Sequence, residues 1–182
     1  MYLDPNSTEA DALRQGDVIQ DVELLGAVNL DSIQKTINSR DEVVAWSMNT
    51  PLKKAAVMIL SHSCEIALEN EIKVTSIILA PIRDINQATS PDKIREVKKS
   101  NFVDPNNPRE SYLKYFYLEP HEKIRFTDGG VVDFSKLFSV HKSSYERLIE
   151  KKILQLRPEI ALQMAFKLAL YFFRRAQESP RE

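Results

Sequence analysis

Ala55-Ala56-Val57-Met58-Ile59-Leu60-Ser61-His62-Ser63-Cys64-Glu65 decides how the rest of the chain is read. An unbroken apolar run ends in five small or polar side chains. A short apolar run bounded by polar residues is the pattern of a strand buried on both faces. A rigid strand aims whatever follows it, so Ser61, His62, Cys64 and Glu65 form the first candidate site. The run holds the only cysteine of the chain and one of its three histidines.

His62 and Cys64, two residues apart, share one side of an extended chain. Cysteine reacts as a thiolate and needs a base or a positive field beside it. The candidate chemistry is therefore a Cys64 nucleophile with His62 or His141 as base, Ser61 or Ser63 as a nearby donor, and Glu65 or Asp17 as acid. A zinc site would have to gather His121 and His141 as well. No ligand pair has helix or zinc-knuckle spacing, so neither a metal nor a cofactor is expected. The plainer role of a lone cysteine is a small hydrophobe packed at a strand end. A carboxylate near a strand end more often caps a turn. The residues leave open whether the protein is an enzyme.

Upstream of the central run, residues 1–12 suggest a loose N-terminus with a turn at Asp4-Pro5-Asn6-Ser7. Gly16-Asp17 is a turn before a half-exposed strand over 18–25, with Val18, Val22 and Leu24 on one face and Gln20 as the exception. Residues 26–37 fit a strand and a loop, and 42–48 a strand stopped by Asn49-Thr50-Pro51. Downstream, 66–71 suggest a helical turn or loop, and 72–80 a β-branched strand ended by Pro81, with 82–85 leaving the sheet. Residues 86–110 turn to Ser, Pro, Asn and charge, an insertion over the sheet surface and a candidate lid. Ser90-Pro91 there starts a short helix to about Lys99.

Tyr112 to Leu118 is an aromatic strand, in which Tyr112, Tyr115, Phe116 and Tyr117 either stack nucleobases beside Lys114 or, more commonly, fill the core. Residues 123–126, Thr127-Asp128-Gly129-Gly130 and 131–134 give the strongest hairpin signal, since Asp-Gly-Gly supplies positive φ. Ser143 with Glu146 forms a capping box for a helix carrying Tyr145, Leu148, Ile149, Ile153 and Leu156 at helical spacing. Arg157-Pro158 ends it. The last helix, from Glu159 to about Ala176, is apolar almost all round and so must be enclosed by the domain or by a second subunit.

At 182 residues, 43% hydrophobic and 28% charged, the chain suits one soluble domain, or one domain with a helical appendage. One cysteine excludes an intrachain disulfide and fits a reducing compartment. Residues 1–16 lack a signal-peptide pattern, and the most apolar stretch, 160–173, is broken by Gln163 and Lys167. A cytoplasmic protein with no membrane contact is expected. The net charge of −1 hides a gradient from an acidic start to a basic end. That gradient points to an acidic partner such as nucleic acid, or to one end of the molecule answering the other. Lys53-Lys54 ahead of the central strand is a candidate phosphate contact. Gly-rich phosphate loops, Gly-x-Ser-x-Gly and His-Glu-x-x-His are absent from the sequence.

Gln15-Gly16-Asp17-Val18-Ile19, the buried strand ending at Ser61, and Ile77-Ile78-Leu79-Ala80 running into Pro81-Ile82 resemble, in that order, the PemK/MazF family of bacterial toxins. Those are compact barrels of the Src-homology-3 type that cut RNA and pair with an antitoxin. The resemblance covers residues 13–85. An arginine-proline pair commonly precedes the buried strand in that family, where this chain has Lys53-Lys54-Ala55-Ala56. A threonine commonly follows the later proline and hydrophobic pair, where this chain has Arg83. Both expected cleavage positions are thus changed; the resemblance implies that Lys54 or Arg83 replaces the charge of that arginine, and lysine lacks its planar fork. Residues 132–140, the closing Phe172-Phe173-Arg174 and the Leu-Ser-x-x-Cys-acid signature of 60–65 also resemble an uncharacterised group of bacterial and phage proteins.

These readings predict an α+β protein: a small, strongly bent antiparallel sheet or barrel over 13–140, interrupted by the 86–110 insertion, then a helical segment over 141–182 packed on it with two helices. The functional expectation is a PemK/MazF-like module contacting nucleic acid, through Lys53, Lys54, Arg83 and Lys114, or a protein partner in bacterial stress, toxin-antitoxin or phage-defence settings. The alternatives are a hydrolase or ribonuclease centred on Cys64, and a scaffold that forms a homodimer through its C-terminal helix.

Overall fold

The computed structural model describes residues 1–3, 12–25, 34–47, 51–66, 75–103 and 112–178. The parts of the sequence reading that fall on 4–11, 26–33, 48–50, 67–74, 104–111 and 179–182 lie outside the described residues. The described chain is α+β, a strongly curled antiparallel half-barrel with helices on both faces. Its strands are β1 (Asp17–Leu25), β2 (Gln34–Ile37), β3 (Val43–Ser47), β4 (Leu52–Ile59), β5 (Ser76–Asp84), β6 (Tyr115–Leu118), β7 (Gly130–Asp133), β8 (Phe138–His141) and β9 (Lys152–Gln155). The helices are α1 (Ser63–Ile66), α2 (Ile85–Ala88), α3 (Pro91–Lys99), α4 (Tyr145–Glu150) and α5 (Pro158–Glu178). The main sheet runs β6-β7-β5-β4-β1-β9, with β8 also pairing β5, while β2 and β3 form a separate ribbon.

β4 is the buried strand its apolar run demands, because alternate residues enter two different cores. Met58 joins an inner core with Val18, Ala80, Phe116, Val132 and Met164. Val57 and Ile59 join an outer core with Ile19, Ile77, Leu79, Tyr145 and Leu148. A third cluster seats α3 through Val97 against Tyr115, Tyr117 and Val131. The aromatic strand is therefore core, and the insertion helix covers it. Asn101 completes the cover: its Nδ2 donates to the Tyr117 carbonyl at 2.6 Å, and its Oδ1 accepts from the Tyr117 N–H at 2.7 Å. One side chain thus substitutes for a strand at the β6 edge.

Several local readings are corrected. β5 does not stop at Pro81 but continues to Asp84 and pairs with β7. Pro81 falls between the stretch paired to β8, which ends at Leu79, and the stretch paired to β7, which begins at Ile82, so no ladder bond is asked of its missing N–H. Residues 123–126 form no strand, because β6 and β5 already occupy both edges of β7. The Gly129 turn keeps its positive φ of 92°. The register of β1 shifts between Ile19 and Val22, where Asp21 adopts φ 51°. That bulge places Val22 with Ile19 in the outer core while Val18 stays in the inner one, which also accounts for Gln20 as the apparent exception.

The C-terminal part departs most. α4 ends at Glu150, and Ile153 belongs to β9, which closes the sheet beside β1. The capping box does not form: Ser144 is the N-cap without a side-chain bond, and Ser143 is engaged by His141. α5 is not enclosed. Met164 and Lys167 are its fully buried described residues, while Leu162, Phe166, Phe172 and Phe173 face solvent.

Candidate functional site

The predicted site residues divide between the two ends of β4. Lys53 and Lys54 lie at its start, and Ser61, His62, Cys64 and Glu65 follow its end. Ser61 is seven positions beyond Lys54, roughly 23 Å at the usual rise of an extended chain. The two sets cannot act on one reacting group.

At the far end, Ser61 is structural: its buried Oγ accepts from the Ile78 N–H at 2.8 Å. Ser63 Oγ accepts from the Gln15 N–H at 3.1 Å, and Gln15 Nε2 donates to the Leu60 carbonyl at 2.7 Å. These bonds fix the turn that projects the next side chains outward. His62, Cys64 and Glu65 are exposed, so Cys64 does not pack as a buried hydrophobe. The His62 Nδ1 lies 2.9 Å from Cys64 Sγ. The other imidazoles are engaged elsewhere. His141 Nδ1 contacts Ser143 Oγ at 2.9 Å, and the His121 ring meets Tyr2 edge-on at 5.1 Å. Among the described residues no three His, Cys, Asp or Glu side chains are placed to hold a metal ion. Asp17 is sealed in the interior with Lys152 Nζ 2.9 Å from its Oδ2, out of reach of a substrate.

At the near end the sheet splits. β4 and β5 pair only from Val57–Pro81 to Ile59–Leu79. Ahead of Val57, β4 stays with β1; beyond Pro81, β5 goes with β7. The strands part and leave an open groove of about 570 Å³. Its floor is apolar and low, with Ala55, Ala56, Pro81, Ile82, Ile124 and Phe126. Its rim carries Lys53, Lys54, Arg83, Lys123, Arg125 and Lys136 against Asp21 and Asp84. Three of the four side chains expected to contact nucleic acid therefore converge here. Lys114 does not; it is exposed with its Nζ 4.9 Å from the Tyr115 ring centre.

The groove is built, not incidental. Arg83 Nη1 is 3.2 Å from Asp133 Oδ2, and its Nη2 donates to the Gln87 carbonyl at 3.3 Å. Asp133 is wholly buried and is itself held by the N–H and hydroxyl of Ser135. Lys123 Nζ donates to the Ile153 carbonyl, joining the 120s loop to β9. The β1 bulge at Asp21 forms the opposite bank. Sequence reasoning missed Lys123, Arg125, Lys136 and Phe126, since no spacing relates them. The one usable signal was the basic character of the chain from residue 136 onward. No protein-family model matches the chain, and no curated protein matches it.

Proposed function

We propose that the protein binds single-stranded nucleic acid along the groove where β4 and β5 part, as a PemK/MazF-like module of bacterial stress or phage defence. The observation that carries this reading is the composition of the groove: a cationic rim above an apolar floor. A rim of lysine and arginine follows a phosphate backbone, and an apolar floor with an aromatic ring accepts unstacked bases. A duplex would offer the floor nothing. Lys53, Lys54 and Arg83 come from two stretches that the toxin resemblance relates to RNA contact, which adds support. With lysine in place of the arginine-proline pair, the reading is binding rather than cleavage.

Titrating labelled single-stranded RNA and DNA across a salt series tests it. Affinity falls with salt at a slope of about −0.7 per phosphate neutralised, and each of Lys53→Ala, Lys54→Ala and Arg83→Ala lowers the slope by roughly one phosphate contact. Affinity indifferent to salt, or to all three substitutions, overturns the reading.

One contact favours a second reading. An exposed thiol 2.9 Å from an imidazole nitrogen is the arrangement a thiolate nucleophile uses. In a hydrolase, Sγ would attack a carbonyl carbon while His62 takes the thiol proton and gives it to the departing group; water, deprotonated by His62, would then cleave the acyl–sulfur bond and the proton would return to the thiol. Alkylation of Cys64 at neutral pH no faster than in the unfolded chain, and unchanged by His62→Ala, removes it.

A further inference from the structure

Helix α5 is apolar on two opposite faces. Ile160, Met164, Leu168 and Tyr171 pack on the inner core. At 3.6 residues per turn, Leu162, Phe166, Ala169 and Phe173 fall on the reverse face. All four are exposed, Leu162 at 72% and Phe173 at 63%. A helix that covers only its own sheet needs one apolar stripe. The second stripe repeats at intervals of four, three and four residues, the spacing of a coiled-coil seam.

We infer that this seam pairs with the same seam of a second copy, antiparallel about a two-fold axis. The seam is centred between residues 167 and 168, so antiparallel pairing sets Leu162 against Phe173 of the second copy and Phe166 against its Ala169. Each large side chain near the axis then meets a small one, and each contact occurs twice, as an isologous interface requires. Parallel pairing sets Phe166 on Phe166 and leaves a gap at Ala169. The opposed helix dipoles add to the preference.

Leu162, Phe166 and Phe173 leave about 350 Å² of apolar surface uncovered per copy. A stable interface buries about 800 Å² per partner. The pairing is therefore reversible and depends on concentration in the micromolar range. Sedimentation analysis across that range gives a mass rising from 20.9 kDa toward twice that value. Leu162→Lys and Phe173→Glu each hold the protein at monomer mass with unchanged circular dichroism and melting temperature, because both side chains are already exposed.

Orientation is read by cross-linking in a Cys64→Ser background. Chains carrying Leu162→Cys form mixed disulfides with chains carrying Phe173→Cys, and Phe173→Cys alone forms few. A monomer at every concentration overturns the inference. So does a dimer indifferent to both charge substitutions, or ready self-cross-linking of Phe173→Cys.

Discussion

Asp133, with no exposed surface, holds the Arg83 guanidinium at 3.2 Å and so fixes one cation of the groove before any ligand arrives. The pair lies on neighbouring strands that the divergence of β5 from β4 brings to the groove wall. Charge and position can be separated by mutation. Arg83→Ala removes one phosphate contact and lowers the salt slope by about one such contact. Asp133→Asn keeps the cation but frees the side chain, costing about three- to tenfold in affinity through lost preorganisation, with the salt slope unchanged. Fluorescence anisotropy over a salt series distinguishes the two outcomes.

Asn101 offers a stability prediction outside the groove. Asn101→Ala leaves both the N–H and the carbonyl of Tyr117 without their present partner at the β6 edge. The loss is about 2 kcal/mol in urea unfolding. It is accompanied by faster hydrogen exchange at the Tyr117 amide. Exchange unchanged from the parent would mean that α3, not Asn101, protects the edge.

What the sequence made legible follows from where each signal resides. β4 was readable because burial on both faces needs nothing but an apolar run, and α3 because Ser90-Pro91 marks its first turn locally. β9 was not, because Ile153 and Leu156 suit a helical stripe as well as a strand, and only the free edge of β1 decides between them. Pro81 ends most strands; here a change of neighbours on one edge leaves its nitrogen unneeded. The groove was half legible. Lys53, Lys54 and Arg83 flank recognisable strands, whereas Lys123, Arg125, Phe126 and Lys136 meet them only after the sheet divides.

Lys167 sets a pH dependence. It is buried, and its Nζ donates to the carbonyl and hydroxyl oxygens of Ser100 at 2.5 and 3.0 Å, bonds a neutral amine can make. Burial pushes its pKa down from 10.5 to about 7. Between those values the unfolded chain binds the proton and the native one does not, so stability rises with pH from about 7 to about 10.5 and is flat below. Lys167→Met removes this slope. The measurement is the denaturation midpoint of parent and variant at several pH values; parallel curves would show that Lys167 titrates normally.

Asp17 and Lys152 form a buried ion pair at 2.9 Å, and Lys152 Nζ also donates to the Ala12 carbonyl and to Gln155 Oε1. Oδ2 of Asp17 accepts from the Arg14 N–H, while Oδ1 is buried without a hydrogen-bond partner. Burial outweighs the attraction of Lys152 and raises the Asp17 pKa from 3.8 to about 6. The native state therefore binds the Asp17 proton more tightly than the unfolded chain does. Its contribution is full at or below pH 3.8 and declines as pH rises to about 6, the reverse of an ordinary ion-paired carboxylate. Asp17→Asn abolishes that decline, so the variant gains on the parent over the same window. Lys152→Met instead leaves the Asp17 carboxylate buried without its counter-charge and costs about 3 kcal/mol at neutral pH. Adding Asp17→Asn to it removes that charge, and the double variant recovers most of the loss. If the two substitutions instead add independently in urea unfolding, the pair is not coupled.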